Sequence, residues 1–177
     1  MRHALFAGGM SQPLTRELFE RGHAVAVLPY DPVRDAVVLI EQFRIGALQR
    51  AAGPWLVEIV AGIVGGDEPP ESVARREAVE EAGLCLGRLE KVGRFYVSPG
   101  GSSESIHLYC GEVDASVAGG IHGLVEEGED IRVFAETVDG AMGRLAAGEI
   151  DSAIPVIALQ WLALNRTRLR RDWATPD

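Results

Sequence analysis

The segment from Gly62 to Leu84 constrains the fold and chemistry of this chain more than any other. It reads GIVGGDEPPESVARREAVEEAGL, with Glu80 and Glu81 lying three and four residues after Glu77. On a helix these spacings place all three carboxylates on one face. Because like charges so close together destabilise a helix, we interpret the cluster as a site for a cation. Oxygen ligands of this kind suit Mg2+ or Mn2+.

The alternative for the helix alone is a solvated face, on which Arg76 and Glu80 form an ordinary pair four residues apart. The wider pattern favours the cation site. It runs glycine, five residues, Glu68, seven residues, an Arg-Glu pair, a small residue, any residue, two glutamates, any residue, Gly83 and an aliphatic residue. This pattern resembles the signature box of the Nudix hydrolases, enzymes that cleave nucleoside diphosphates linked to another moiety. The resemblance implies metal-dependent phosphate chemistry.

Apolar periodicity and turn residues predict a mixture of strands and helices. Strands are predicted for HAVAVLPY from His23, AVVLIEQF from Ala36, PWLVEIVAG from Pro54, about Leu89 to Val97, SIHLYCGEV from Ser105 and IRVFAET from Ile131. Helices are predicted from Pro69 or Pro70 to Gly83, from Thr137 to near Gly148, and from Asp151 or Ser152 to about Arg168. This mixture predicts one α/β domain over residues 1–177, an α/β/α sandwich with a mixed β-sheet. The prediction agrees with the Nudix fold, which the resemblance implies.

The composition excludes several other classes of protein. A net charge of -9 leaves no basic patch for a general nucleic-acid binder. Cys85 and Cys110 are too few for a disulfide scaffold or a zinc site, and we interpret His23, His107 and His122 as structural. No apolar run approaches the roughly 18 residues of a membrane-spanning helix. The N-terminus lacks a signal-peptide pattern, so we expect a cytoplasmic protein.

The resemblance extends well outside the box, from about Arg2 to Trp173, and is close to the bacterial ADP-ribose pyrophosphatases. The stretches that carry it are RGHAVAVLPYDPVRD, VEIVAGIV, SPGGSSE, CGEVD, GIHGLVEEGEDIRV and IPVIALQWL. In that family a proline about fifteen residues after the box marks preference for ADP-ribose, and Pro99 lies 15 residues after Leu84. Family members usually begin with a longer N-terminal stretch whose strands exchange across a dimer. We therefore expect residues 1–20 to be a remnant of that region, and the chain to form a homodimer.

The resemblance implies Mg2+-dependent hydrolysis of ADP-ribose to AMP and ribose 5-phosphate, with Mn2+ as a substitute. One alternative is hydrolysis of GDP-mannose or another nucleoside-diphosphate sugar, because the related enzymes share the SPGG loop and much of the box. A second alternative is a sensor of nucleotide sugars that has lost the chemistry. Such sensors often lack box glutamates, and none is missing from this chain.

The resemblance also assigns the metal ligands by position. It implies that Glu77 and Glu81 bind the metal together with the backbone carbonyl of Ala61. Glu80 is expected to be a further ligand or the partner of a second ion, and so to take part in catalysis. Arg76 is expected to orient these glutamates.

The general base is expected on the segment LVEEGED, residues 124–130, which the resemblance identifies as a mobile loop. We expect Glu127 to activate water and Glu129 to be an additional metal ligand. Glu126 is an alternative for either role. A carboxylate on a loop would complete the site only when the loop closes over substrate.

Substrate contacts are expected from three parts of the chain. Arg44 should bind a phosphate through its guanidinium group. Arg16 should reach the nucleotide, from the partner subunit in a dimer, and Glu104 should accept hydrogen bonds from ribose hydroxyls. Ser98 and Gly100 of the SPGG loop complete the predicted substrate site.

Overall fold

The computed structural model of the chain describes residues 1–174, so the last three residues of the predicted domain lie outside the described residues. Its strands are β1 (His23–Asp31), β2 (Ala36–Phe43), β3 (Trp55–Glu58), β4 (Val60–Val64), β5 (Leu89–Tyr96), β6 (Ser105–Glu112), β7 (Gly120–His122) and β8 (Ile131–Thr137). Its helices are α1 (Pro70–Ala82), α2 (Val138–Ala146) and α3 (Ala153–Trp173). Short 3-10 turns lie at Ile45–Ala47, Ala115–Val117 and Val125–Glu127.

The strands described between residues 1 and 174 form one mixed sheet with the order β5-β6-β1-β2-β8-β7. Off this path, β3 pairs with β2 and β4 pairs with β1. The pair β1–β6 is parallel, whereas β1 is antiparallel to both β2 and β4. Helix α1 packs on one face of the sheet, and α3 and α2 pack on the other. The predicted α/β/α sandwich with a mixed sheet is confirmed.

The central strands are buried on both faces because each sheet face carries a helix layer. In β1, Val25 and Val27 belong to the core beneath α1, whereas Ala26 and Leu28 belong to the core beneath α3. This alternation is the period of two expected for a strand. Strand β2 has the same two-sided burial, as its near-continuous apolar sequence predicts.

Helix α1 begins and ends where its sequence predicts. Pro70 occupies the first turn, where a missing N–H group costs nothing. Gly83 follows the helix with φ 65°, the left-handed conformation that favours glycine, and its N–H group donates to the carbonyl of Val79 at 2.9 Å. The side chains of Val73 and Ala78 are buried against the sheet. The box is thereby fixed to the edge of the core.

Three elements differ from their predicted extents. The stretch from Pro54 forms two strands instead of one, because the chain changes partner at Ile59: β3 pairs with β2 and β4 pairs with β1. Strand β7 is only three residues long, was not predicted, and pairs with β8 just before the segment 124–130. Helix α3 continues past Arg168 to Trp173, because Leu169 and Trp173 are buried in the core.

Two further features of the described chain bear on the site. The side chain of Thr137 accepts a hydrogen bond from the Gly140 N–H group at 3.0 Å, so it caps α2 as predicted. The segment before β1 is attached to the SPGG loop, since the Phe19 N–H group donates to the carbonyl of Gly101 at 2.8 Å.

Within residues 1–174, none of the helices has the length and apolarity needed to cross a bilayer.

Candidate active site

A cleft of 840 Å³ opens where β4, the second half of α1, the loop after β7 and the first turn of α3 come together. Its wall carries more carboxylates than guanidinium groups. The charged residues lining it are Arg21, Arg44, Glu58, Arg76, Glu77, Glu81, Glu104, Glu127 and Glu129. An excess of carboxylates in a concave site favours a bound cation.

Glu81 is the most buried of these carboxylates, because it lies on the face of α1 that packs against the sheet. It is 3% exposed, and its Oε2 accepts a hydrogen bond from the Ala61 N–H group at 2.9 Å. Burial raises the pKa of Glu81 to about 8, although the hydrogen bond from Ala61 opposes that shift. The carboxylates of Glu77 and Glu129 raise it further. A cation in the cleft would stabilise the ionised form.

Glu77 lies beside strand β4 because Gly62 has no side chain. A Cβ atom at Gly62 would overlap the Glu77 carboxylate. Burial raises the pKa of Glu77, and the neighbouring Arg76 guanidinium opposes that shift. Gly62 therefore allows the Glu77 side chain to approach the backbone of β4 closely. Its own backbone does not have a positive φ angle.

Arg76 is the counterion of the box in this structure. Its Nη1 lies 2.7 Å from Oε2 of Glu80 and 3.0 Å from Oε1 of Glu77, and its Nη2 lies 3.9 Å from Oε2 of Glu68. Glu80 is directed to Arg76 and is not among the residues lining the cleft. The pair between Arg76 and Glu80 that was considered from the sequence is therefore present, together with a contact between Arg76 and Glu77.

The chemistry of the acidic groups fits a hard divalent cation. Glu77, Glu81 and Glu129 line one cleft, and each of the other two carboxylates raises the pKa of Glu81. Oxygen-only ligands of this kind suit Mg2+. Among residues 1–174, however, no three His, Cys, Asp or Glu side chains are already gathered as a metal-binding group. In this structure Arg76 contacts Glu77, and the Leu124 N–H group donates to Oε2 of Glu129 at 2.9 Å.

The loop after β7 brings two of its three glutamates to the cleft. Glu127 and Glu129 line it, and Glu126 does not. Glu127 ends the 3-10 turn, and its side chain is exposed. The loop therefore places the expected base and the expected additional ligand in the same cleft as the box.

The predicted substrate residues divide between two places. Arg44 and Glu104 line the cleft, whereas Arg16 and Gly100 line a separate pocket of 560 Å³. Ser98 lines neither, and its carbonyl accepts a hydrogen bond from the Ser102 N–H group at 2.9 Å. One chain thus brings Arg44 and Glu104 together with the acidic groups, and leaves the other three residues apart from them.

The matched region contains both the box and the loop glutamates. The family model described as NUDIX domain matches residues 20–173. The chain belongs to the Nudix family. The resemblance predicted from the box is therefore confirmed.

Curated relatives of this Nudix chain include ADP-ribose pyrophosphatase of Escherichia coli (strain K12), which is 54% identical over 173 residues, 98% of this chain and 83% of that protein. ADP-ribose pyrophosphatase of Haemophilus influenzae is 49% identical over 175 residues, 97% of this chain and 81% of that protein. GDP-mannose pyrophosphatase of Cronobacter sakazakii is 39% identical over 151 residues, 85% of this chain and 78% of that protein.

Two charged residues of the Nudix cleft were missed in the sequence. Glu58 accepts a hydrogen bond from Nε of Arg44 at 2.8 Å, and Arg21 lies 3.7 Å from the carboxylate of Glu104. Glu58 could have been found, because it is a lone charge in the apolar run WLVEIV. Arg21 precedes the first strand and gives no such signal. Ser152 to Pro155, at the start of α3, also line the cleft and were identified only as a helix start.

Proposed function

We propose that this chain hydrolyses the pyrophosphate bond of ADP-ribose to AMP and ribose 5-phosphate. The observation that carries the proposal is one cleft that holds the box glutamates Glu77 and Glu81, the loop glutamates Glu127 and Glu129, and Arg44, the arginine that we propose binds a phosphate. The relatives named ADP-ribose pyrophosphatase are 54% and 49% identical, which supports this substrate over others.

Mg2+, or Mn2+ in its place, would be held by Glu77, Glu81, Glu129 and the carbonyl of Ala61, with Glu80 as a further ligand. When bound, such an ion neutralises phosphoryl oxygens and favours deprotonation of water. Pyrophosphate hydrolysis needs this help because water must approach an anion, and enzymes lower such barriers by roughly 8–23 kcal/mol.

Arg76 has a different part in this proposal. In the metal-free protein it neutralises Glu77 and Glu80. We propose that Arg76 releases Glu77 when the ion binds and continues to hold Glu80. The glutamates would then already lie close together before the ion binds. The exchange would keep Glu77 paired with a cation throughout, because its side chain is only 13% exposed and a buried charge without a counterion is costly.

Glu127 is the proposed general base. A carboxylate that receives a proton from water must come within hydrogen-bond reach of it, and Glu127 lines the cleft on a movable turn. Arg44 is proposed to bind a phosphate, for which it would exchange its present contact with Glu58. Glu104 is proposed to accept hydrogen bonds from ribose hydroxyls, and Nη1 of Arg21 lies 3.7 Å from its carboxylate.

A second candidate substrate is GDP-mannose, favoured by the relative named GDP-mannose pyrophosphatase at 39% identity. The two candidates are separated by kcat/KM for ADP-ribose and GDP-mannose under the same Mg2+ concentration. We expect ADP-ribose to be the better substrate by about 10-fold or more, which corresponds to roughly 1.4 kcal/mol of differential transition-state binding. A higher kcat/KM for GDP-mannose would make the second candidate correct.

We further propose a cytoplasmic homodimer, in which the partner subunit's Arg16 reaches the nucleotide and Ser98 and Gly100 shape its surroundings. Two observations support a dimer. Arg16 and Gly100 are separated from the cleft within one chain. Phe6, Leu18 and Phe19 of the first segment are large apolar side chains that are exposed, and such side chains favour association.

A further inference from the structure

The loop that carries Glu127 and Glu129 has little regular structure of its own. We call residues 119–130 the base loop. It contains β7, one 3-10 turn and glycines with positive φ angles at positions 119, 120, 123 and 128. Such a segment has few internal restraints, so a catalytic carboxylate on it must be placed by contacts with a rigid neighbour.

One such neighbour is β8, with which β7 pairs, and another is the C-terminal turn of α1, the helix that carries the box glutamates. The last four carbonyl groups of a helix have no partner within it. Here the Val79 carbonyl accepts from the Gly83 N–H group at 2.9 Å, and the Glu80 carbonyl accepts from the Gly123 N–H group at 3.3 Å. A backbone N–H group of the base loop therefore donates to one of the carbonyl groups at the end of α1.

One side chain of the base loop also lies against this turn. A Cβ atom at Gly83 would lie 2.7 Å from Cε1 and 3.3 Å from Nδ1 of His122, so the imidazole occupies the space that a side chain at Gly83 would need. On its other side the ring is fixed, because Nε2–H donates to the carbonyl of Gly119 at 2.8 Å. His122 thus joins the first residue of the base loop to the end of α1.

The contact continues to a proposed metal ligand. A Cβ atom at Gly123 would lie 2.6 Å from Cβ of Glu129, and the Leu124 N–H group donates to Oε2 of Glu129 at 2.9 Å. The residues that follow His122 therefore pack directly on Glu129. A shift of the loop at His122 would move Glu129 and, at the end of the 3-10 turn, Glu127.

We propose that His122 is a positioning residue, whose ring docks the base loop on α1, and that Gly83 must be glycine partly to admit this ring. The inference deepens the proposed function, since it concerns how the proposed base is held over the box. It replaces the interpretation of His122 as merely structural. The position of Glu127 relative to Glu77 and Glu81 then depends on a contact that no substrate or metal touches.

The first test is the kinetics of His122→Ala on ADP-ribose with Mg2+. We expect kcat to fall by about 10- to 100-fold, because a misplacement of roughly 1 Å has effects of that order, while KM changes less than about threefold. Ile121→Ala is the matched control, since Ile121 lies on the same strand with an exposed side chain and should leave both constants unchanged. An unchanged kcat in His122→Ala, or an equal effect in the control, would overturn the proposal.

The second test is a double-mutant cycle with Gly83→Asn. Asparagine tolerates the left-handed conformation better than other residues with a side chain, so the main new feature is a Cβ atom against His122. We expect Gly83→Asn to lower kcat strongly in the wild type and only slightly in His122→Ala, where the ring is gone. Additive effects of the two substitutions would show that the contact does not couple the residues.

A third readout needs no substrate. Amide hydrogen exchange of residues 119–124 should become at least about 10-fold faster in His122→Ala, with exchange in the central strands unchanged. Unchanged exchange in the loop would contradict the docking role. If wild-type protein fails to hydrolyse ADP-ribose, the proposed function fails while this measurement still decides the docking. Should His122→Ala not fold, His122→Gln removes the ring with less loss of volume, and the same expectations apply.

Discussion

Glu81 is a carboxyl group on the otherwise apolar side of α1, beside Ala74, Ala78 and Ala82. Burying an ionisable group without a counterion is costly, and one backbone N–H donor from Ala61 meets only part of that cost. A helix that served packing alone would have an apolar residue there. A cation bound at this position, as proposed, would offset the cost.

Glu81→Gln tests this residue. We expect kcat on ADP-ribose to fall by about 100-fold or more, because several kcal/mol of charge stabilisation is lost. The melting temperature in EDTA should stay the same or rise, since glutamine keeps the shape and removes a buried ionisable group. Circular dichroism melting and steady-state kinetics check the two expectations. Near-normal activity would contradict the assignment of Glu81 to the metal site.

Glu127→Gln and Glu126→Gln form a matched pair on the base loop. Loss of a general base typically slows the chemical step by about 10²- to 10⁴-fold, so Glu127→Gln should have this effect on kcat with little change in KM. Glu126 does not line the cleft, and Glu126→Gln should be near normal. The opposite result would assign the base to Glu126.

At the scale of elements, α3 is joined to the turn between β1 and β2 through Asp35. Its carboxylate accepts hydrogen bonds from Nε of Arg166 at 2.9 Å, from Nη1 of Arg170 at 3.1 Å and from the Tyr30 hydroxyl at 2.9 Å. The hydrogen bond from Arg166 holds the pKa of Asp35 below its ordinary value of 3.8, although burial opposes this. Asp35 also has φ 57°.

Asp35→Asn should therefore destabilise the protein in a pH-dependent way. Because the folded state depresses the pKa, the ionised carboxylate contributes stability above pH 3.8, and that contribution is lost as pH falls through the folded-state pKa. Asparagine tolerates the positive φ angle, so backbone strain adds little. Urea unfolding at pH 7 should show a deficit of about 1–3 kcal/mol that shrinks below pH 4. A deficit independent of pH would contradict the ion-pair explanation.

Elements with strong local signals were predicted well, and those that depend on distant partners were not. Pro70 and Gly83 marked the start and the end of α1 in the sequence, because each residue affects the conformation of only one turn of the helix. The division of the stretch after Pro54 into β3 and β4 depends on which strands lie alongside, and no periodicity records that. The end of α3 at Trp173 depends likewise on a core that the rest of the fold builds.

The same distinction holds for the site. The box spacing is a local property of one helix, so Glu77 and Glu81 were found from the sequence. Glu58 and Arg21 line the cleft because of the three-dimensional arrangement of the sheet, which their sequence positions do not reveal. The separation of Arg16 from the cleft is a property of the three-dimensional path of the first segment, which no motif describes.

At the scale of the whole molecule, the proposed dimer would bring Arg16 of one subunit to the cleft of the other. Size-exclusion chromatography with light scattering should give twice the mass of the chain. Arg16→Ala should raise KM for ADP-ribose with a smaller effect on kcat, since a phosphate or base contact is mainly a binding contact. A monomer with full activity, or an unchanged KM, would contradict the dimeric site.

The most direct measurement is separation of the products from ADP-ribose incubated with the wild-type protein, first with Mg2+ and then with EDTA. The account predicts AMP and ribose 5-phosphate in equal amounts with Mg2+, and neither with EDTA. Absence of hydrolysis with Mg2+, or undiminished hydrolysis in EDTA, would contradict it.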